Sequence, residues 1–361
     1  NNQAAVDTLT IYRSFRWGRH LDLVLTDTRS YRSPHPIPPA LNRRLGGTDR
    51  YLSPLRAVEV FDAGAQYNDG APPDVVTIGN TEVPNVRQDQ PPGTMLGARQ
   101  KRWWKETVRR SDATWMVWGH SVPTLPMRLD LGSIDPNGET VVFTTDTWDG
   151  YLHEREELMR FVEAHDVSNF VSLSGDNHNT FAGVVSPTYR HADSESAAAS
   201  ALGAEFSICG VSSPSVFQAL LQAVGPDSPL RPLITADGRV TGGQEASLNM
   251  TFQHGAQASV TAANTGDAAQ GLQAANPAHN SHLRYVDSRA QGIGIVTVTA
   301  DGVETDMVTL PSPTDARQAA GPTPLRTAQF RLAAREAGAP VELHGPAVSG
   351  ELPFPLSATQ E

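Results

Sequence analysis

Four residues near the middle of the chain, Gly175-Asp176-Asn177-His178, set a carboxylate and an imidazole two positions apart directly after a short apolar run. In an extended turn, side chains at i and i+2 point the same way, so Asp176 and His178 could present an oxygen and a nitrogen to one ion at about 2.0 to 2.2 Å. Gly175 would let the backbone approach closely. An acid beside an imidazole suits zinc, manganese or iron, whereas carboxylates with amide carbonyls suit calcium or magnesium. The same four residues also read as a plain surface turn, because Gly, Asp and Asn are turn formers. Three other positions carry acids or imidazoles beside turns: Asp27 in Asp27-Thr28-Arg29, His120 in Gly119-His120-Ser121, and Asp149 in Trp148-Asp149-Gly150. Each has a bland alternative. Asp27 and Arg29 could hold a phosphate or simply pair with each other, His120 could be a satisfied structural histidine, and Asp149 could cap a helix.

Other chemistries find less support. Cys209, in Phe206-Ser207-Ile208-Cys209, has no basic sequence neighbour to lower its pKa and reads as a buried, inert thiol. Ser212-Ser213-Pro214 reads as the cap of a following helix. The chain lacks a G-x-S-x-G elbow, a G-x-x-x-x-G-K-[ST] loop and a G-x-G-x-x-G fingerprint, which argues against serine-hydrolase, P-loop and Rossmann chemistry.

The elements that must position these residues follow from the apolar pattern. Residues 21–26 (LDLVLT), 114–118 (TWMVW) and 170–173 form short apolar runs that read as strands, and they end just before Asp27, His120 and Asp176. Further strands are expected at 204–208, 285–288, 294–299 and 303–310, with Asp301-Gly302 as a hairpin turn between the last two. Leu96, Gln100, Trp104 and Val108 fall four apart and predict a helix over 97–110. Leu158, Phe161, Val162 and His165 predict a second over 154–165. Helix then strand, twice, followed by a β-rich end, predicts an α/β sandwich of mixed sheets with helices outside. The prolines of 32–54 and the Ala, Gly, Asn and Gln of 244–280 read as long loops.

Composition bounds the rest. With 28 basic and 39 acidic residues among 361, the net charge is −11, and the only dense basic run lies at 99–110. Duplex nucleic acid is excluded as a structural partner, because phosphate neutralisation supplies most of that affinity. No run of 18 apolar residues occurs, so no transmembrane helix is expected. One cysteine cannot make an internal disulfide, and the start at Asn1-Asn2-Gln3 reads as a processed or truncated product. The expected organisation is a folded part over 1–310 and a Pro/Ala-rich extension over 311–361, holding one candidate helix at 327–337 and otherwise either draped on the body or flexible.

The order of segments says more than any one of them. Tyr12-Arg13-Ser14-Phe15-Arg16-Trp17-Gly18, Asp27-Thr28-Arg29-Ser30-Tyr31-Arg32, Met95-Leu96-Gly97-Ala98-Arg99-Gln100 through Trp104, Ala113-Thr114-Trp115-Met116-Val117, Trp148-Asp149-Gly150-Tyr151 and Leu173-Ser174-Gly175-Asp176-Asn177-His178 resemble, in order and spacing, the PhoD-type alkaline phosphatases and phosphodiesterases of the calcineurin-like metallophosphoesterases. The resemblance implies a two-sheet α/β sandwich of the metallophosphoesterase type, incomplete at the N-terminal side. It implies metal-dependent hydrolysis of phosphate mono- or diesters with more than one metal ion, iron and calcium foremost and zinc or manganese as alternatives. By likeness of motif, Asp176 and His178 become metal-site residues and Asp149 a ligand of a second ion, these three forming the catalytic set. Asn177, within the same turn, and Arg29, as a cation for phosphate, are the expected substrate contacts. Clustered cations would polarise phosphoryl oxygens, generate hydroxide and make a net charge of −11 tolerable to an anionic substrate. A secreted or periplasmic location is also implied. The family's upstream half, with its first metal motifs, is not present before Asn1. The expectation is therefore a site completed by an upstream fragment or a second chain of the same precursor. A non-catalytic binding or assembly subunit on the same scaffold is the alternative.

Overall fold

Where apolar runs alternate with turns, the chain forms strands and helices in the expected order. The computed structural model describes residues 9–189, 200–236, 246–312 and 321–354. A first hairpin pairs β1 (Arg13–Trp17) with β2 (Leu21–Leu25). The stretch 32–54, expected as a long loop, contains α1 (Pro39–Arg44) and β3 (Tyr51–Pro54). Its proline density misleads because Pro39 occupies the first helical position, where a missing N–H is not needed. Then follow α2 (Leu55–Ala63) and the hairpin of β4 (Val75–Ile78) and β5 (Thr81–Pro84).

Next comes α3 (Gly97–Arg110), which buries Gln100, Trp104 and Val108 along the expected stripe. It leads into β6 (Trp115–Gly119), buried throughout as a central strand should be. The short strand β7 (Arg128–Asp130) pairs with β8 (Thr140–Thr144), which also pairs with β3. After it, α4 (Leu152–Ala164) precedes β9 (Phe170–Ser174), β10 (Thr180–Val185) and β11 (Gly203–Ser207).

Two expectations fail beyond this point. The segment 244–280, expected as loop, contains α6 (Ser247–His254), α7 (Ala256–Thr265) and α8 (Ala268–Gln273), after α5 (Val216–Ala223). Its alanines and glutamines favour helix, and Asp267 caps α8 by accepting from the N–H groups of Ala269 and Gln270. Residues 244 and 245 lie outside the described ones. Three strands then follow: β12 (Leu283–Asp287), β13 (Gly292–Val298) and β14 (Gly302–Thr309). The turn at Asp301-Gly302 joins the last two as expected, with Thr299 N–H donating to the Gly302 carbonyl at 2.9 Å. The candidate helix at 327–337 is instead β15 (Arg326–Ala333), paired with β14 and with β16 (Leu343–Gly350). Burial at Arg326, Ala328, Phe330 and Leu332 alternates with period two, which overrides the helical composition.

The result is a mixed α/β fold with several sheets. The largest runs β1-β2-β6-β9-β11-β10-β12, and a second runs β13-β14-β15-β16. Successive side chains of β6 face opposite ways. Trp115 and Val117 join a cluster with Val303, Met307, Ala328 and Phe330 of the four-stranded sheet. Met116 and Trp118 join another with Trp104 and Val108 of α3 and Leu158 and Val162 of α4. Burial of each such side chain contributes about 1.5–3 kcal/mol, so the sheet is held rigid from both faces. In the middle, β2, β6, β9 and β11 are parallel, with Leu25, Gly119 and Leu173 in register across the sheet. Their carboxyl ends therefore open onto one edge, where residues just past each strand meet.

Candidate functional site

At that edge, the first turn is organised by its own aspartate. Asp27, almost wholly buried, accepts from the N–H groups of Arg29 and Ser30 at 2.9 Å each. Its backbone is clasped by the Gln100 amide of α3, which accepts from Asp27 N–H at 2.7 Å and donates to the Asp27 carbonyl at 2.8 Å. The clasp explains a fully buried glutamine on an apolar helix face. Asp27 and Arg29 do not form a side-chain pair. The Arg29 guanidinium reaches across the edge to Asp146 at 2.7 Å and to Asp176 at 3.3 Å.

The turn after β9 is not the extended one that the spacing suggested. Asp176 and His178 both adopt left-handed backbone, with φ of 74° and 55°, so the alternation of extended residues does not aim their side chains. Asp, Asn and His enter this region more readily than most residues. Gly175 lies close to the next strand's end, where a Cβ would stand 3.1 Å from the Ile208 carbonyl, a tight contact. Asp176 and His178 are exposed, and the Asn177 amide donates to the Met127 sulfur at 3.7 Å. The His178 ring is oriented from outside: Nδ1 lies 2.7 Å from the Pro214 carbonyl, which can only accept, so Nδ1 carries the proton and Nε2 is the basic nitrogen. Ser212 and Ser213 are not the cap of the following helix. Ser215 caps α5, in a reciprocal capping box with Gln218.

Asp149 is set differently. It is buried in a short turn where Thr147, not Asp149, supplies the cap. Its carboxylate accepts from Met127 N–H at 3.2 Å and from Arg128 Nη2 at 3.3 Å. Burial raises its pKa above the ordinary value, against the opposing pull of Arg128. Gly150 beside it is obligatory, since a Cβ would lie 2.1 Å from the Thr145 carbonyl. His120 is satisfied on both ring nitrogens, Nδ1 at 2.5 Å from the Val122 carbonyl and Nε2 at 2.7 Å from Ser172 Oγ, and it packs 4.3 Å from the Trp118 ring. Burial depresses its pKa, which keeps it neutral. Behind it, buried Glu205 accepts from Thr124 N–H at 3.0 Å and Ser174 Oγ at 2.6 Å, tying the loop after β6 to β9 and β11. Cys209 is buried and its thiol is pushed up to about 11, as its apolar neighbours suggested.

The family model for PhoD-like phosphatases matches residues 1–307. This chain is a PhoD-like phosphatase family member. It is 27% identical over 152 residues to alkaline phosphatase D of Bacillus subtilis (strain 168), a match covering 42% of this chain and 23% of that protein. It also resembles a solved structure described as the structure of PhoD, with a TM-score of 0.54 and 17% identity, over 96% of this chain and 45% of the other. The chain thus spans less than half the length of either relative. Within this PhoD-like chain, Asp176 and His178 have the right chemistry for a metal: one carboxylate, and one imidazole whose other nitrogen is held by a carbonyl. They are too few for one. Asp149 is engaged by Arg128, and among the described residues no group of three or more His, Cys, Asp or Glu is placed to hold an ion. Four to eight ligands are usual. Asp176, Arg29 and Asp146 are brought together by direct bonds, whereas Asp149 and His178 each bond to other partners. Sequence reasoning passed over Asp146, Glu205 and the Pro214 carbonyl. The only signal for Asp146 was its place just past a strand, three residues before Asp149.

Proposed function

We propose that this chain is the carboxyl-side part of a metal-dependent phosphoric ester hydrolase, active on phosphate mono- or diesters, whose metal centre is completed by ligands from an upstream polypeptide. The observation that carries the reading is an exposed turn just past the parallel strands that holds both Asp176, bonded to the cationic Arg29, and, two residues on, His178 with its Nδ1 proton fixed by the Pro214 carbonyl. Family membership over residues 1–307 and the apolar cluster shared by the two large sheets support a metallophosphoesterase-type sandwich. Bound metal would polarise the phosphoryl oxygens and lower the pKa of an attacking water. The chain's own contribution is positional. Pro214 keeps the Nδ1 proton of His178 in place, and Arg29 neutralises charge next to Asp176. Asp149 would serve a second ion only after release from Arg128. Iron with calcium, and a location outside the cytoplasm, belong to the same proposal.

The test uses the assembled protein, this chain together with its upstream polypeptide. His178→Ala should lower hydrolysis of a chromogenic phosphate ester by more than about a hundredfold, beyond the loss expected from an outer hydrogen-bond partner, and should lower bound metal in parallel. Full turnover with unchanged metal content would remove His178 from the site. Wild-type protein without stoichiometric metal would favour the non-catalytic binding subunit.

A further inference from the structure

Asp146, two residues past β8, is surrounded by cations. Its Oδ1 accepts from Arg29 Nη1 at 2.7 Å and Arg32 Nη1 at 2.5 Å, its Oδ2 accepts from Arg50 Nη1 at 2.6 Å, and His35 Nε2 stands 3.6 Å away. One carboxylate thus meets three guanidiniums. Counting Asp176, which shares Arg29, the cluster still carries a surplus of one positive charge. That surplus is permanent: although burial alone would raise it, the Arg32 and Arg29 hydrogen bonds hold the Asp146 carboxyl below its usual range. Gathering three like charges in a chain of net charge −11 opposes their mutual repulsion, and a single arginine would have sufficed to neutralise Asp146. The arginines come from separate places, Arg29 and Arg32 from the turn after β2 and Arg50 from just before β3.

Each guanidinium carries five N–H donors, and the bonds to Asp146 and Asp176 use few of them. Arg29 and Arg50 keep 40% and 49% of their side-chain surface open to solvent, so donors remain available to an incoming ligand. Planar forks of this kind match the oxygens of a phosphoryl group better than they match a single carboxylate. We infer that Arg29, Arg32 and Arg50, preorganised by Asp146, form an anion-recognition site for a phosphoryl group, contiguous with Asp176 through Arg29. The inference deepens the proposed hydrolase by naming the residues that would hold its anionic substrate or phosphate product. Anion binding itself does not depend on turnover.

The probe is inorganic phosphate, titrated into the full chain and followed by calorimetry and by phosphorus NMR line width, at low and at high salt. Wild-type chain should bind phosphate, with sulfate competing and salt weakening the interaction. Arg50→Ala should weaken it at least about fivefold, and Arg50→Lys should recover only part of the loss, because a lysine lacks the fork. Arg109→Ala, on the far end of α3, should bind like wild type. If Arg50→Ala loses its fold by circular dichroism, Arg50→Lys carries the test alone. Equal phosphate affinity in wild type, Arg50→Ala and Arg50→Lys, or no binding by wild type at 10-millimolar-order phosphate (roughly the limit for a specific exposed anion site), overturns the inference. In the assembled enzyme, Arg50→Ala should raise KM more than it lowers kcat, whereas His178→Ala should act on kcat. Phosphate binding by the chain, with no ester hydrolysis by the assembled wild-type protein, would keep this site and discard the hydrolase reading.

Discussion

Glu154 offers the most direct test of how the family's segments are tied together. It is 1% exposed on α4, yet it serves the start of α3. Its Oε2 accepts from Met95 N–H at 2.5 Å and Leu96 N–H at 2.9 Å, and its Oε1 accepts from Thr94 Oγ1 at 2.6 Å with Lys101 Nζ at 3.2 Å. The N-cap residue Leu96 has no capping side chain, and Thr94 Oγ1 accepts only from Gly97 N–H at 2.8 Å, so this carboxylate, arriving from another helix, satisfies the Met95 and Leu96 donors that would otherwise be orphaned and complements the helix dipole. Glu154→Gln keeps the shape and removes the charge. One amide group would then face donors, leaving a buried N–H or hydroxyl unpaired at about 1–3 kcal/mol, and two surviving bonds would each lose about 1 kcal/mol of charge assistance. The total is about 3–5 kcal/mol, a large share of a typical domain's stability. With a urea slope of about 3 kcal/mol/M, the unfolding midpoint should fall by 1 M or more at unchanged slope. Trp103 and Trp104 on α3 supply the fluorescence signal. Glu157→Gln is the control: its bonds to Lys101 and Lys105 at 2.6 Å are partly exposed, and it should cost about 1 kcal/mol or less. A shift below about 0.3 M for Glu154→Gln would refute the capping argument.

Two further outcomes follow from buried titratable groups. Asp62 is fully buried with one oxygen accepting from His153 N–H at 2.7 Å and the other unpartnered, and burial raises its pKa from 3.8 to about 8. The native state then holds a proton that the unfolded chain releases across that window, so stability should fall as pH rises from 4 to 8, by up to about 1.4 kcal/mol per unit; Asp62→Asn should flatten the profile and match or exceed wild type at pH 8, and an unaltered slope in thermal or urea unfolding would contradict this. Cys209, with its thiol pushed up to about 11, should react with iodoacetamide at pH 8 at least about a hundredfold more slowly in native than in unfolded protein, and similar rates in mass-spectrometric labelling would show the thiol to be accessible.

Local patterning made much of this molecule legible. The four-residue spacing of Leu96, Gln100, Trp104 and Val108 gave the buried stripe of α3, and the apolar runs before Asp27, His120 and Asp176 gave three parallel strands, because periodicity is a property of neighbouring residues. Where composition was weighed without periodicity, the reading missed. The candidate helix at 327–337 is a strand in which Ala328, Phe330 and Leu332 alternate with polar residues, and the expected loop over 244–280, rich in Ala, Gly, Asn and Gln, holds three helices within its described residues.

The chemistry divides the same way. Residue types alone marked Asp176 and His178 as candidate donors, and the order of motifs marked the family, since both are written in short contiguous strings. What lies beside those residues was decided by the tertiary structure. Only the packed sheet brings the Pro214 carbonyl to His178 across 36 positions, carries Arg29 to Asp176 across 147, and turns Asp149 toward Arg128 instead of toward them. Only there do three arginines close on Asp146. Partners so distant in sequence leave no periodic trace along the chain, because their contact depends on how strands register and helices pack rather than on any local preference.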